Sequence, residues 1–341
     1  MVTRRDVARL AGTSEAVVSY VLNNGPRNVA PPTRERVLRA IDELGYRPNV
    51  VARSLRTSRT HTIGLVVPDN ANPFFAELAR EIEDVAFEHG LTLLLGNAMD
   101  DDEREAAYVR TLIDRQVDGL ILIPAHGPRT WRSLLAASAV PCIVLDRELD
   151  EVPASHLLID NEGGAHAATV HLIEHGRRQV GCVAGPVGIH PTVDRVAGWA
   201  RALTEAGLDP AEMPLAHGPF GRRQGYLSGR DLLSRQDRPH ALFVTSDEQA
   251  FGVMRAAAEL GLTVPGDVAI CSFDGIAASS YTVPALTTMR QPLEQLGRQS
   301  VELLVAQIKD QSAGERVILP ATLIRRGSCG CPDPVGGVDD E

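Results

Sequence analysis

The sequence predicts an α/β protein, with a three-helix N-terminal head followed by a body of two parallel-sheet α/β lobes. Three observations predict it. From His61 onward, short apolar runs alternate with stretches of helical spacing, and buried strands alternating with amphipathic helices assemble into parallel sheets. Ahead of them, three short helical patterns fill about 45 residues, near the lower size limit for a domain. The whole length, 341 residues, is enough for two or three domains with sizeable cores.

In the head, Thr3 and Asp6 have the spacing of a capping box, and Val7, Ala8, Leu10 and Ala11 supply the apolar side of a first helix. Gly12 permits a sharp turn that a Cβ would resist. Ser14 caps a second helix and places Glu15 in its first turn, where the helix dipole favours an acid. Val17, Val18, Val21 and Leu22 share one side of that helix, and Glu15, Ala16, Ser19, Tyr20 and Asn23 share the other. A short helix with a small polar and aromatic outer face suits the second helix of a helix-turn-helix, which enters the DNA major groove. Taken alone, the pair is equally compatible with a generic helical hairpin. Pro31-Pro32-Thr33 opens a third helix, in which Val37, Ile41 and Leu44 repeat at i, i+4 and i+7 and Gly45 closes the run.

Charge separates this head from the rest. Met1 to Thr60 carries 11 Arg and 5 acidic residues, a net of +6, whereas the remainder has 34 − 11 = 23 basic and 44 − 5 = 39 acidic residues, a net of −16. A basic head on an acidic body directs only the head toward a polyanion. Residues 47–60 contain Arg47, Arg53, Arg56 and Arg59 around Val51, Ala52 and Leu55. The segment is too short for a stable helix alone. It is either an ordinary basic linker or a hinge that folds on DNA, with arginines on phosphates and an apolar wedge in the minor groove.

Strand candidates in the body include Ile63–Val67, Leu91–Leu95, Gly119–Ile123, Cys142–Leu145, Val180–Ala184, Ala241–Thr245 and Val268–Ser272. Ligands gather outside the carboxyl ends of strands in open parallel sheets. Asp69 and Asn72 follow the first of these strands, Asp146 and Arg147 the fourth, Ser246 and Asp247 the sixth, and Asp274 the last. Phe74 and Phe75 open the first body helix, and Arg195 comes shortly after the strand at Val180. Carboxylates and an arginine beside an aromatic wall suit a polyhydroxylated ligand. Each has a plainer role. Asn72 before Pro73 is a good N-cap, Ser246 or Asp247 can cap the next helix, Asp146 and Arg147 can form a surface ion pair, and Phe75 can be core.

Other chemistry is poorly supported. His171-Leu-Ile-Glu174-His175 matches an H-x-x-E-H zinc-peptidase pattern, but no convincing third ligand is apparent in the sequence. Cys329-Gly330-Cys331 offers two ligands with no second pair, beside a Pro/Gly-rich end, and reads as tail; Cys142, Cys182 and Cys271 lie in apolar runs and read as reduced core residues. The only lysine is Lys309, so there is no P-loop, and neither a dinucleotide glycine pattern nor a G-x-S-x-G elbow occurs. We therefore expect no catalytic residue, metal or cofactor. No apolar run is long enough to cross a bilayer, and the N-terminus is a charged helix rather than a signal peptide, so the expected location is the cytoplasm, with no membrane partner.

The runs DVARLAGTSEAVVSYVLN, TRERVLRAIDELGYRPNVVARSLR, IGLVVPDNANPFFAEL, VDGLILIP, HLIEHGRRQVGCVAGP, DVAICSFDG and PALTTMRQPLEQLG occur in family order over residues 3 to 328. In them the chain resembles the LacI/GalR family of bacterial transcription regulators. The resemblance implies a helix-turn-helix domain over residues 1–46 and a hinge over 47–60. It implies a bilobed body like that of periplasmic sugar-binding proteins over 61–329, with crossings near Asp160, Gln291 and Pro320. Residues 330–341 are expected to be a flexible tail. It implies a homodimer on a near-palindromic double-stranded operator, acting as a repressor (an activator of the same fold being the alternative) under the control of a small molecule of the sugar class. On DNA, Ser14, Ser19 and Asn23 are expected on phosphates and Glu15, Ala16 and Tyr20 on base edges, with Val17 and Asn49 completing the set. Tyr20 stands where the family commonly has Arg. Leu55 with Ala52 is the implied minor-groove wedge. The resemblance assigns effector contacts to Asp69, Phe74, Arg195, Phe220, Asp247 and Asp274. Ser246 replaces an Asn common in the family. Ile189-His190-Pro191 occupies a loop that carries polar effector contacts in purine-responsive relatives, which argues against a purine and leaves the sugar class open.

Overall fold

The computed structural model of the chain describes residues 2–23, 28–47, 59–125, 131–147, 154–310 and 314–332. They belong to two compact units, Met1–Thr60 and His61–Glu341.

The first unit holds α1 (Arg4–Leu10), α2 (Glu15–Asn23) and α3 (Pro31–Leu44). The Thr3 side chain accepts from the Asp6 N–H, and the Asp6 carboxylate accepts from the Thr3 N–H at 3.0 Å, so the capping box is complete. Gly12 and Gly45 have φ of +62° and +58°, the left-handed region that ends a helix without a Cβ penalty. Val7, Ala8, Ala11, Val18, Val21, Val37, Ala40 and Tyr46 form the core. Leu10, expected on the apolar side of α1, is 47% exposed, because it lies off the stripe defined by Val7, Ala8 and Ala11.

Among the described residues the body contains two six-stranded sheets. Its strands are β1 (Thr62–Val67), β2 (Thr92–Asn97), β3 (Gly119–Leu122), β4 (Cys142–Leu145), β5 (Ser155–Ile159), β6 (Val180–Ala184), β7 (Leu215–His217), β8 (Ala241–Val244), β9 (Ala269–Asp274), β10 (Thr287–Arg290), β11 (Arg316–Leu319) and β12 (Thr322–Ile324). The first sheet runs β11-β5-β4-β3-β1-β2, all parallel. The second runs β12-β10-β9-β8-β6-β7 and is parallel except where β12 meets β10. Its helices are α4 (Pro73–Glu88), α5 (Asp102–Asp114), α6 (Arg132–Ala137), α7 (Asn161–Glu174), α8 (His190–Glu205), α9 (Arg222–Leu233), α10 (Asp247–Glu259) and α11 (Leu293–Asp310). They cover both sheet faces, which is why most strands are apolar throughout rather than alternating. Gly225 and Gly252 let α9 and α10 touch backbone to backbone; a Cβ on either would overlap the other helix.

The chain passes between lobes at the expected positions. After β5 it leaves at Asp160 to begin α7, it returns at Gln291 between β10 and α11, and it leaves again at Pro320 between β11 and β12. Strands β5, β7, β10, β11 and β12 were not among the candidates. β7 and β12 have only three residues, β7, β11 and β12 are edge strands, and Thr287-Thr288-Met289-Arg290 carries a weak apolar signal.

The CGC stretch departs from expectation as well. Cys329 is buried, and Gly327–Cys329 forms a 3-10 turn whose Ser328 donates to Ile270 O (2.7 Å), so the start of this stretch is packed rather than trailing; residues 333–341 of the expected tail lie outside the described residues.

Candidate functional site

On α2 the structure leaves Ser14, Glu15 and Ala16 exposed and Val17, Ser19 and Tyr20 half-buried, with Val18 and Val21 turned into the head core. Ser14 Oγ accepts from the Val17 N–H at 3.3 Å, which fixes the start of the helix. Asn23 is its last residue. The outer surface offered to a partner therefore combines small side chains with Tyr20, carried on a helix of nine residues that suits a major groove. Asn49, Ala52 and Leu55 lie outside the described residues.

The second feature is a cavity of about 310 Å³ between the lobes of the body. Sheet topology places it. In each sheet the strand order reverses, beside β1 in one and beside β6 in the other, and the carboxyl ends at such reversals leave a crevice. From the first lobe come Asp69, Asn72, Phe74 and Asp146; from the second come Arg195, Phe220, Ser246 and Asp274. These are eight of the nine candidates. Two of the plainer roles coexist with this placement: Asn72 Oδ1 caps α4 through the Phe74 N–H (3.1 Å), and Ser246 Oγ caps α10 through the Gln249 N–H (3.2 Å). Arg147 is buried and donates to Ala125 O, so it is not half of a surface ion pair. Phe74 meets Phe75 edge to face at 5.2 Å, and Gly185 lets the Phe220 ring lie against the end of β6.

Arg195 is the most constrained group in the wall. Its Nε donates to Asn161 Oδ1 (2.8 Å), its Nη1 donates to Thr245 O (2.6 Å) and lies 3.3 Å from Asp274 Oδ1, and the guanidinium stacks 3.9 Å over Phe273. Among the described residues Nη2 has no hydrogen-bond partner. Asp274 also accepts from Gln291 Nε2 at 2.9 Å. Burial raises its carboxyl to about pKa 8, against the opposing pull of Arg195, and the neighbouring Asp247 adds to the rise. Asp146 and Asp274 have φ of +66° and +116°, backbone that side chains rarely adopt, so the fold spends strain to aim both carboxylates.

Asp247 is the correction. It is fully buried and does not line the cavity. Its Oδ1 accepts from Ser272 Oγ (2.5 Å) and Thr288 Oγ1 (2.7 Å), and its Oδ2 accepts from Gly275 N (2.9 Å), Ile276 N (2.9 Å) and Ser279 Oγ (2.5 Å). The first residue of α10 points back under the sheet, so it holds the loop that carries Asp274 and is a positioning residue. Gln291 and Asp100 were not among the candidates and line the cavity. Among the described residues, Gln291 Oε1 is buried without a partner. Its position at a lobe crossing was the available signal. The lobes also touch at Glu77, whose carboxylate accepts from the Ala277 N–H at 3.2 Å and is raised in pKa chiefly by burial.

Among the described residues, no helix is long and apolar enough to cross a membrane.

Comparison with known proteins adds three relatives and two domain matches. Residues 3–49 match the family described as bacterial regulatory proteins, lacI family, and residues 169–329 match a periplasmic binding protein-like domain. The HTH-type transcriptional repressor PurR of Edwardsiella ictaluri is 37% identical over 321 residues, which is 93% of this chain and 94% of that protein. The lac repressor dimer bound to operator and the anti-inducer ONPF superposes with a TM-score of 0.87 at 30% identity, covering 96% of this chain and 99% of that one. A transcriptional regulator CelR–cellobiose complex superposes with a TM-score of 0.73 at 32% identity, covering 96% and 100%.

Proposed function

We propose, from the premise that this chain belongs to the lacI family of bacterial regulatory proteins and is a DNA-binding transcriptional repressor rather than an enzyme, that a sugar or sugar derivative in the interlobe cavity sets its operator affinity. The observation that carries the sugar class is the wall itself. Two carboxylates on strained backbone supply acceptors, and Arg195 Nη2, without a partner among the described residues, supplies a donor, in a wall that also contains Phe74 and Phe220. Sugar hydroxyls use both kinds of partner, and a sugar ring packs on an aromatic face. The solved regulator with cellobiose bound is consistent with a ligand of this class.

On DNA, α2 enters the major groove, with Ser14, Ser19 and Asn23 on phosphates and Glu15, Ala16, Val17 and Tyr20 toward base edges. Asn49 adds to the backbone grip, and Ala52 with Leu55 forms the minor-groove wedge. The protein acts in the bacterial cytoplasm as a homodimer, so that two heads meet two half-sites. Phe87, Leu95, Tyr281 and Val283, exposed by 81%, 44%, 69% and 95%, give both lobes apolar surface for a second copy to cover. Closure of the lobes around a ligand then changes how the paired hinges are held. A ligand shifts operator affinity only by its preference between two body states.

The test is a thermal-shift screen of mono- and disaccharides beside nucleobases, with operator binding measured for each hit. A sugar that stabilises the protein and changes operator affinity is the expected result; a response to a nucleobase alone overturns the sugar assignment. In the same binding assay, Leu55→Ser is expected to weaken specific operator binding at least about tenfold while leaving sugar affinity unchanged. Unaltered operator binding removes the wedge.

Asp274 gives a pH signature. With its carboxyl raised to about 8 in the empty cavity, most molecules carry it protonated at pH 6.5. Hydroxyls that donate to it favour the ionised form, so binding releases a proton and affinity rises with pH until about pH 8, by roughly tenfold. Calorimetry in buffers of different ionisation heat reads the proton directly. Affinity that falls with pH would mean that the protonated carboxyl donates to the ligand instead.

A further inference from the structure

The two stretches that lacked partners in the sequence complete each other in the fold. His171 and His175, at i and i+4, share a face at the C-terminal end of α7, with rings 4.7 Å apart, centroid to centroid. Against them lies the Cys329-Gly330-Cys331 turn. His171 Nε2 is 3.2 Å from Cys329 Sγ and 3.6 Å from Cys331 Sγ, and His175 Nε2 is 3.4 Å from Cys331 Sγ. The donor atoms of all four residues lie within 4.8 Å of one another. Gly330, with φ of +106°, reverses the chain between the two cysteines so that both sulfurs face the same point.

We propose that His171, His175, Cys329 and Cys331 form a tetrahedral zinc site that pins the C-terminal turn to α7. With zinc–sulfur bonds of about 2.3 Å and zinc–nitrogen bonds of about 2.05 Å, the edges of such a tetrahedron are roughly 3.4–3.8 Å; the three His–Cys separations of 3.2, 3.6 and 3.4 Å are close to these, and no donor pair exceeds 4.8 Å. Two thiolates, two neutral imidazoles and Zn²⁺ sum to zero charge, which suits a cluster that is part buried, with Cys329 and His171 inside and His175 at the surface. An S₂N₂ donor set selects zinc over the hard cations. Thr287 Oγ1 donates to Cys329 Sγ at 3.1 Å and orients it.

The donor count also decides what the metal does. Four protein ligands fill a tetrahedron and leave no position for water, so the site is structural, and Glu174 has no metal-bound water to act on. The cluster lies ten residues along α7 from Asn161, about 15 Å at the helical rise, and so is separate from the interlobe cavity. What it ties together are segments about 155 residues apart in sequence, α7 and the turn that also braces β10 through Ser328 Oγ and Thr287 N (2.8 Å). Nothing in this assignment depends on the ligand proposed for the cavity.

The experiment uses the reduced, full-length protein stripped with a chelator and titrated with Co²⁺, then with Zn²⁺. One equivalent per chain is expected, with the thiolate-to-cobalt charge-transfer band and intense visible bands of a tetrahedral site, displaced by zinc. Zinc is also expected to raise the unfolding temperature. His175→Ala and Cys331→Ser alter the two less buried ligands and leave the interior packing in place. Each is expected to weaken binding by more than about tenfold and to remove the thermal shift. Substoichiometric binding, a spectrum without thiolate bands, undiminished binding in both variants, or a Cys329–Cys331 disulfide in freshly purified protein would each overturn the site.

Discussion

Asp247→Ala is expected to lower the stability of the body by about 4 kcal/mol, one of the largest effects of any single substitution in the chain. The carboxylate accepts hydrogen bonds from five donors, two of them backbone N–H groups of Gly275 and Ile276, and none of this can be replaced by water at a fully buried position. Burial raises the carboxyl's pKa despite those donors, so the site tolerates the acid because the donors need an acceptor. Asparagine fills the same volume and keeps one acceptor oxygen. Asp247→Asn should cost roughly half as much, since Ser272, Ser279 and Thr288 can rotate their hydroxyls whereas the two amides cannot turn. Urea unfolding of the three proteins measures this. A loss below about 1 kcal/mol in the alanine variant, on the scale of an ordinary surface change, would show that the loop from Asp274 to Ser279 is held by other contacts.

Arg195→Lys should leave a folded repressor whose response to its ligand is lost over any ordinary concentration range, with ligand affinity lower by about a hundredfold. Lysine keeps the charge near Asp274 but not the planar fork that bonds Asn161 and Thr245 while leaving Nη2 for the ligand, nor the stack on Phe273. Charge-assisted hydrogen bonds contribute about 1.5–3 kcal/mol each, and one such bond together with the displaced ion pair accounts for a factor of that size. Operator binding without ligand should persist, because Arg195 acts on the ligand and Asp247 acts on the fold. Calorimetry beside an operator shift assay separates the two. A lysine variant that still responds at wild-type concentrations would place the ligand elsewhere.

These two residues mark the boundary of what was legible. Asp247 follows a strand end and opens a helix, Arg195 lies in the helix that follows β6, and eight of the nine candidates line one cavity, Phe220 among them through the family resemblance alone. The strand-end rule locates a backbone position and is silent on side-chain direction. Asp274 at the end of β9 lines the crevice, whereas Asp247 at the start of α10 is turned away from it, because hydroxyls on β9 and β10 hold its carboxylate there. Gln291 was visible as a lobe crossing, but the orientation of its side chain beside the cavity depends on a bond to Asp274 made across 17 residues.

What the sequence determined alone is whatever rests on near neighbours: the capping box of Thr3 and Asp6, the left-handed stops at Gly12 and Gly45, the apolar runs that became central strands, and the division of charge between head and body. Period and turn chemistry act over a few residues, so a linear reading captures them. Tertiary structure decided the rest. It paired His171 with Cys329 across 158 positions and turned a lone H-x-x-E-H and a lone C-x-C into one four-ligand cluster. Which distant segments meet is set by the burial of whole sheets and helices, a collective free energy that no local pattern carries.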